Sequence, residues 1–235
     1  MRKSIMLAGA ALISFGGPAA AQGDGQRQFA VGSFDEIAAT GPHRVVVNMG
    51  ERGAVRAHGT AATLDKMEVV VVGGQLHIRP KKEYRRNFSW RGLPPATFYV
   101  TAPTLEGVSL AGSGDMTVDR VRARRFHASV AGSGGLDIGT VDAPETSFSI
   151  AGSGTVTVGG RTSVTEISLA GSGNLRGRGF VSKTASVSIA GSGDAEFSAT
   201  ESARISIVGS GGARIRGTGN CTVSRIGSGQ ARCGA

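Results

Sequence analysis

The chain has 235 residues, which is enough for one large domain or one elongated array of repeats. Its 38 glycines far exceed an average share, but 40% of the residues are hydrophobic, and this combination excludes both a disordered chain and a flexible Gly/Ser linker. The formal net charge is +9, and such an excess of basic side chains favours anionic partners.

The first 21 residues have the three parts of a secretory signal peptide. Arg2 and Lys3 form a basic start, the apolar stretch 5–15 is too short to span a bilayer, and three alanines at 19–21 fit a small-residue cleavage site. A buried core helix is the alternative. We therefore expect an exported bacterial protein that is periplasmic, outer-membrane-associated or secreted, with no transmembrane segment in the mature chain.

The net charge of the mature chain indicates which classes of partner it favours. Loss of Arg2 and Lys3 leaves 24 basic and 17 acidic side chains, a net charge of +7. In an exported protein this excess favours anionic glycan, lipid headgroups or acidic partners, and it argues against nucleic acid. The alternative is a solvated, mildly basic surface that has no specific partner.

Residues 34–104 carry β-strand patterns and follow a polar lead-in over 22–33 that we expect to be flexible. The runs 44–49 and 68–72 are rich in valine, and Gly73-Gly74 between 68–72 and 75–78 indicates a tight hairpin turn. A further strand is predicted at 97–100. This region is expected to form a β-rich cap or degenerate coils at the beginning of the fold.

The segment 81–95, KKEYRRNFSWRGLPP, is expected to be a loop between two of these strands. It combines basic side chains with aromatic rings, which suits stacking on a sugar together with contacts to anionic groups. The candidate ligand-binding residues are Lys81, Lys82, Tyr84, Arg85, Arg86, Phe88, Trp90 and Arg91. The alternative is a loop folded over the end or side of the fold, with Phe88 and Trp90 buried as its anchor.

From 105 to 235 a Gly-Ser-Gly triplet recurs seven times. The triplets begin at Gly112, Gly132, Gly152, Gly171, Gly191, Gly209 and Gly227, 18 to 20 residues apart. With the exceptions of Arg225 and Gly177, apolar residues stand two and four positions before each triplet and four and six positions after it, so alternate side chains share one buried face. The column six positions after the triplet contains Val118, Ile138, Val158, Gly177, Phe197, Ile215 and Cys233. The serine three positions before each triplet is expected to point outward.

A period of 18 to 20 residues with two strands per unit is typical of a solenoid. A single coil buries too few side chains to offset the entropy of ordering it, so coils must stack and share their interior surface. The sequence therefore predicts an all-β fold, a parallel β-solenoid (β-helix) of about seven coils with Gly-Ser-Gly corners. The glycines would permit the backbone angles of each corner. Arg225 interrupts an aliphatic column and indicates a last coil that faces water on one side.

Two cysteines, Cys221 and Cys233, both lie in the last coil on its inward side by alternation. In an exported chain, an even number of cysteines favours a disulfide, which would close the end of the solenoid. Two buried free thiols are the alternative.

The repeated strings SLAGSGD, SVAGSGG, SIAGSGT and SLAGSGN, after a β-rich region that ends FYVTAPTLEGVSL, resemble the putative auto-transporter adhesin, head GIN domain family. The opening FDEIAATGPHRVVVNMG is also similar to the usual start of that family, and the resemblance covers about 33–233. It implies an exported β-helical protein of the bacterial envelope with an adhesin-like function. No catalytic residues are implied by it.

No pattern in the sequence indicates catalysis or a cofactor. A glycosidase needs two carboxylates about 5 to 10 Å apart, whereas Asp115 and Asp194 share a column but lie four coils apart. The four histidines have no metal-ligand spacing, so no metal site is expected. We expect a non-enzymatic envelope protein that binds anionic glycan or envelope lipid. The alternatives are a polysaccharide-acting β-helix enzyme and a structural component that self-associates.

Overall fold

The computed structural model describes residues 24–84 and 89–234, so the expected signal peptide over 1–21 lies outside the described residues. Strands account for 72% of the structure and helices for 3%. Stacked parallel coils form a β-solenoid of about six turns, which confirms the predicted fold class and is close to the predicted number of coils.

The N-terminal region contains β1 (Asp24–Phe29), β2 (Glu36–Thr40), β3 (Arg44–Met49), β4 (Ala54–Thr60), α1 (Ala61–Leu64), β5 (Met67–Val72), β6 (Gln75–Pro80), a 3₁₀ helix (Lys82–Tyr84) and β7 (Thr97–Ala102). The repeats form β8 (Gly107–Gly112), β9 (Asp115–Arg122), β10 (Arg125–Gly132), β11 (Gly135–Gly152), β12 (Thr155–Gly171), β13 (Asn174–Gly191), β14 (Asp194–Gly209), β15 (Gly212–Arg216), β16 (Cys221–Ile226) and β17 (Gln230–Gly234). Strands β11 to β14 each continue around one corner of a coil, which explains their length.

Two long parallel ladders form the walls of the solenoid. Face A consists of the strand segments that end at each corner triplet: β6, β2, β8, β10, the later halves of β11 to β14, and β16. Face B consists of the segments that begin after the triplet: β7, β3, β9, the earlier halves of β11 to β14, β15 and β17. Residues at equivalent repeat positions of successive coils therefore lie side by side.

The N-terminal region contains both coils and a cap. The coil β2–β3 lies between the coil β6–β7 and the first repeat coil β8–β9, so the spatial order of the coils differs from their order in the chain. Strands β5, β4 and β1 then add in antiparallel orientation and form the N-terminal end of the two ladders. Strand β1 lies in the lead-in that the sequence predicted to be flexible.

The two glycines of each triplet are required for different reasons. The first glycine of every triplet has a positive φ, between 111° and 129°. The third glycine does not, but a Cβ at Gly173 would lie 2.5 Å from Ile150 Cγ2 and 2.7 Å from the Gly154 carbonyl oxygen. At the third position of the triplet, only a glycine therefore leaves room for the preceding coil. The sequence predicted the conformational requirement but not this close approach.

The backbone ladder continues through the corners. The N–H groups of Ser153 and Gly154 both donate to the carbonyl of Gly132 in the preceding coil, at 2.8 and 2.9 Å. The central serine of every triplet is exposed. The serines three positions before the triplets are exposed or half-buried, as predicted for an outward column: Ser109, Ser129, Ser149, Ser168, Ser188, Ser206 and Ser224.

The predicted aliphatic columns form the core, and aromatic rings fill the space at one irregular position. Gly177 stands in a column that is otherwise apolar and occupied by side chains. A Cβ there would lie 2.9 Å from Phe197 Cβ and 3.1 Å from Phe180 Cβ, so Phe180 occupies the space that Gly177 leaves. The Phe180 ring is fully buried and lies 5.6 Å from the ring of Phe148.

The C-terminal end of the solenoid is covalently cross-linked. A disulfide joins Cys221 on β16 to Cys233 on β17, which confirms the predicted pair. Arg225 is exposed beside Ile207 of the preceding coil, in agreement with a last coil that faces water on one side.

Candidate functional site

The basic-aromatic loop connects the two strands of the coil β6–β7 near the N-terminal end. Lys82 and Tyr84 are exposed on the short 3₁₀ helix, and Lys66 Nζ lies 6.0 Å from the centre of the Tyr84 ring. Lys81 is half-buried and its N–H donates to the Lys66 carbonyl, whereas Arg91 is exposed. The other candidates Arg85, Arg86 and Phe88 lie outside the described residues.

Trp90 is a packing residue of the coil β2–β3. It is half-buried, and its ring lies edge-on to His43 with centroids 4.4 Å apart. The same ring covers Gly41, where a Cβ would lie 2.4 Å from Trp90 Cζ2. This arrangement matches the alternative in which Trp90 anchors the loop.

His43 takes the place of the third triplet glycine in the coil β2–β3. The register pairs Thr40 with Ala111 and Arg44 with Asp115, so Gly41-Pro42-His43 stands where later coils have Gly-Ser-Gly. The histidine is 3% exposed, and its Nδ1 accepts a hydrogen bond from the Ala96 N–H at 3.1 Å. The sequence analysis noted only that the histidines lack metal-ligand spacing and gave His43 no structural role. The aligned Gly41 was the signal that could have identified this corner.

Burial of His43 lowers its pKa from 6.5 to about 4. Because Nδ1 accepts the hydrogen bond from Ala96, the neutral ring carries its proton on Nε2, which is buried and has no hydrogen-bond partner among the described residues. A second proton would have to enter at Nδ1, where it would break the bond from Ala96 and place a charge in the interior, so the ring is neutral. The coil β2–β3 therefore contains a group whose protonation opposes folding.

We expect acid to destabilise the protein through His43. Because the folded pKa of about 4 lies below the ordinary value of 6.5, the stabilisation is complete above pH 6.5 and is lost as the pH falls towards 4. The expected loss of unfolding free energy is roughly 3 kcal/mol.

Urea unfolding at neutral and at acid pH measures this loss. In the variant His43→Gln, whose amide oxygen can still accept from Ala96, the loss should be reduced by most of that amount. The exposed His127→Gln is the control, and an unchanged acid sensitivity in His43→Gln would contradict the assignment.

A row of arginines on the outside of face B was missed by the sequence analysis. One outward column of its last four coils consists of Arg176, Glu196, Arg214 and Arg232. The earlier positions of that column are Thr117, Asp137 and Thr157, so the positive charge is confined to the C-terminal coils. Listing the outward columns as well as the inward ones would have shown this row.

Glu196 is held by a different pair of arginines. Its carboxylate lies 3.5 Å from Arg178 Nε and also accepts a hydrogen bond from Arg216. Partial burial raises the pKa of Glu196, but the charges of Arg178 and Arg216 outweigh it and the net effect is a lowered pKa. In the described part of the chain, Arg176, Arg214 and Arg232 form no ion pair with a carboxylate. Their guanidinium groups are exposed to solvent.

A shallow cleft of about 600 Å³ lies between this arginine column and the nearby triplet serines. We name it the arginine cleft. Its floor includes Gly212, which stands between Asp194 and Gln230 in its own column. The Asp194 carboxylate extends over Gly212, where a Cβ would lie 2.5 Å from Asp194 Oδ1. On the opposite wall, Ser210 Oγ and Ser228 Oγ lie 3.0 Å apart. The cleft thus offers guanidinium groups on one side and hydroxyl groups on the other, and its lining also includes the carboxylates of Asp194 and Glu196.

The remaining charged clusters are less suited to bind a ligand. The arginines at 120–125 are exposed, but Arg125 pairs with Glu145 at 2.7 Å and Arg122 lies 3.8 Å from Asp142. Across the described ranges 24–84 and 89–234, no group of three or more His, Cys, Asp or Glu side chains could hold a metal ion. None of the helices described is both long and apolar enough to cross a bilayer.

A family model for the putative auto-transporter adhesin, head GIN domain matches residues 33–219. The chain belongs to this family. The match includes β2 to β15, and therefore both the N-terminal coils and most of the repeats. The comparison with curated proteins yields no match.

Solved structures share the head GIN fold. A putative adhesin from Bacteroides fragilis has a TM-score of 0.80 at 21% identity, covering 92% of this chain and 98% of that one. A putative lipid-binding protein from Parabacteroides distasonis has a TM-score of 0.69 at 22% identity, covering 90% and 96%. A putative adhesin from the same species has 0.69 at 17%, covering 91% and 97%. At these identities the likeness concerns the fold.

In this head GIN domain protein, the basic-aromatic loop and the arginine cleft lie at opposite ends of the solenoid. The loop near the N-terminal end presents Lys82 and Arg91, and the arginine cleft lies in the last coils. The arginine cleft combines a concave shape with a repeated row of cations, because the coil stacking aligns them.

Proposed function

We propose that this head GIN domain protein is an exported, non-enzymatic binding module of the bacterial envelope, adhesin-like, with an anionic glycan or envelope lipid as its ligand. The observation that carries the proposal is the outward row of Arg176, Arg214 and Arg232, which carries no paired carboxylate within the described residues. Unpaired guanidinium groups aligned on a rigid wall attract anions and can bind carboxylate or phosphate in a bidentate manner.

Two observations are consistent with the exported location in this proposal. The disulfide Cys221–Cys233 fits an oxidising compartment, and the family is named for adhesins. A signal peptide over 1–21 would deliver the protein to the periplasm, the outer membrane or the exterior. One structural neighbour is described as a lipid-binding protein, which keeps envelope lipid beside glycan as a ligand class.

The basic-aromatic loop is proposed as a second contact surface. Lys82, Tyr84 and Arg91 are exposed and available to an anionic ligand. Lys81, Arg85, Arg86, Phe88 and Trp90 complete the proposed set. Trp90 packs on His43, so its replacement would disturb the coil β2–β3 and would not report on binding alone.

A polysaccharide-acting enzyme is the first alternative. Asp194 and Glu196 stand two residues apart on β14, and therefore on the same side of the strand, about 7 Å apart along the backbone. That spacing suits a pair of glycosidase carboxylates. A general acid, however, needs a raised pKa, and Arg178 and Arg216 lower that of Glu196. Release of reducing or unsaturated sugar ends from an acidic polysaccharide would establish the enzyme.

Self-association is the second alternative. Strands β16 and β17 each pair with one strand only among those described, which leaves outer edges available for pairing. Ile226 on β16 is 71% exposed. Association that depends on protein concentration in sedimentation, without any ligand, would favour this role.

The proposed function is tested by passing the purified protein over arrays of envelope glycans and lipids at low ionic strength. We expect retention on anionic members of the array, and we expect it to fall steeply with added salt because the contacts are between exposed charges. Neutral glycans and zwitterionic lipids are the controls. If no anionic glycan or lipid on the arrays retains the protein at low salt, the proposal is wrong.

A further inference from the structure

We propose that the arginine cleft binds one linear acidic polysaccharide whose chain runs along the solenoid axis and whose carboxylates contact Arg176, Arg214 and Arg232. This inference rests on the proposed function and names the site and the ligand class. It assigns to the repeat itself the role of spacing the cationic groups.

The spacing of the arginines follows from the coil stacking. Arg214 and Arg232 occupy adjacent coils, and Arg176 lies two coils beyond Arg214. With strands about 4.8 Å apart, the guanidinium row spans about 14 Å along the axis. A pyranose unit of an extended polysaccharide advances by a similar step, so charged groups on successive or alternate sugars can meet successive arginines. The two arginines beside Glu196 lie in a separate outward position and keep that carboxylate neutralised.

The cleft also suits the neutral parts of a sugar chain. The hydroxyl groups of Ser210 and Ser228 stand on the wall opposite the arginines. On the floor, Asn174 and Gln230 add amide groups on either side of Asp194 and Gly212. Hydroxyl and amide groups can exchange hydrogen bonds with sugar hydroxyls. The volume of about 600 Å³ is in the range of ordinary ligand sites.

The same features argue against a membrane surface as the occupant. Peripheral membrane binding combines basic residues with apolar side chains that enter the bilayer. The exposed aliphatic residues Val164, Val208 and Ile226 do not line the cleft, and its own aliphatic residues are buried in the floor. A concave cleft lined by guanidinium, hydroxyl and amide groups fits a single flexible chain better than a plane of headgroups.

The test is the affinity of the purified protein for polygalacturonate at low ionic strength, with neutral dextran and vesicles containing phosphatidylglycerol as comparison ligands. The first variant replaces the row: Arg176→Gln, Arg214→Gln and Arg232→Gln. Its matched control removes the same charge elsewhere from exposed arginines: Arg120→Gln, Arg124→Gln and Arg161→Gln. The second variant, Gly212→Gln, adds a side chain to the floor without a change of charge and repeats the residue that Gln230 already places in that column. Its Cβ would lie 2.5 Å from Asp194 Oδ1, so the exposed Asp194 side chain must turn aside into the cleft.

We expect the row variant to weaken polygalacturonate binding about tenfold or more, and the control variant to weaken it less than about threefold. Gly212→Gln should weaken it while circular dichroism and the unfolding midpoint stay unchanged. Equal losses in the row and control variants would overturn the site, and a loss confined to vesicle binding would overturn the ligand class. If the protein is retained by other anionic envelope molecules but not by polygalacturonate, the proposed function stands and this inference fails.

Discussion

Replacing Gly191 with alanine is expected to destabilise the solenoid by about 3–5 kcal/mol, because the change combines a forbidden backbone angle with a backbone clash. Gly191 has a φ of 129°, and a Cβ there would lie 2.2 Å from the Gly171 carbonyl oxygen of the preceding coil. That oxygen accepts the Ser192 N–H at 2.8 Å, so it cannot move aside without loss of the corner hydrogen bond.

Chemical unfolding followed by circular dichroism measures the effect, with Gly179→Ala as the matched control. Gly179 is exposed, has no positive φ, and a Cβ there would meet its nearest atom only at 3.9 Å. We expect the control to unfold at the same denaturant concentration as the unmodified protein. Equal midpoints for Gly191→Ala and Gly179→Ala would show that the corners tolerate side chains, in contradiction to the stacking described.

The second large effect is expected from Phe180→Ala, which should cost about 3–5 kcal/mol. The Phe180 ring is 0% exposed, lies edge-on to Phe148 at 5.6 Å, and is 6.4 Å from the ring of Phe197. Gly177 next to it supplies no side chain that could fill the cavity, so the surrounding coils cannot easily collapse into the space.

The neighbouring Val181→Ala is the control for this prediction. Val181 is 39% exposed and points away from the core, so its truncation should change the unfolding free energy by less than about 0.5 kcal/mol. The same denaturant titration compares the two variants. A Phe180→Ala midpoint close to that of Val181→Ala would indicate that this part of the interior is not tightly packed.

The interior of the repeats was predictable because strand alternation is a local property. Leu169, two positions before Gly171, is predicted to point inward, and Ser168, three positions before it, is predicted to point outward. Leu169 is buried and Ser168 is exposed, as predicted. The disulfide was predictable for a similar reason, since both cysteines belong to one coil. The positive φ of the first glycine is by itself enough to require glycine at each corner, and that part was predictable.

Features that depend on which coils are neighbours could not be obtained in the same way. Strand β2 lies between β6 and β8, and nothing in its own pattern specifies that position. The third glycine is required by contact with the coil before it, and Phe180 fills a gap left three residues earlier at Gly177. The role of His43 depends on Trp90, which is 47 residues away in the chain.

The arginine cleft was predictable only in part. Its column could be listed from the repeat alignment, but the sequence analysis followed the inward columns and searched for ligands in the loop 81–95. The floor at Gly212 and the serine wall appear only when the corner geometry is known. Candidate ligand surfaces on a solenoid are therefore best sought in the outward columns.

The central claim is that coil stacking aligns Arg176, Arg214 and Arg232 into one ligand site. The most direct measurement is arginine footprinting, in which a dicarbonyl reagent modifies exposed guanidinium groups and mass spectrometry reports the extent at each residue with and without polygalacturonate. We predict that the ligand protects those three arginines together and leaves Arg120 and Arg124 unprotected. Protection of Arg91 alone, or equal protection of all exposed arginines, would contradict the account.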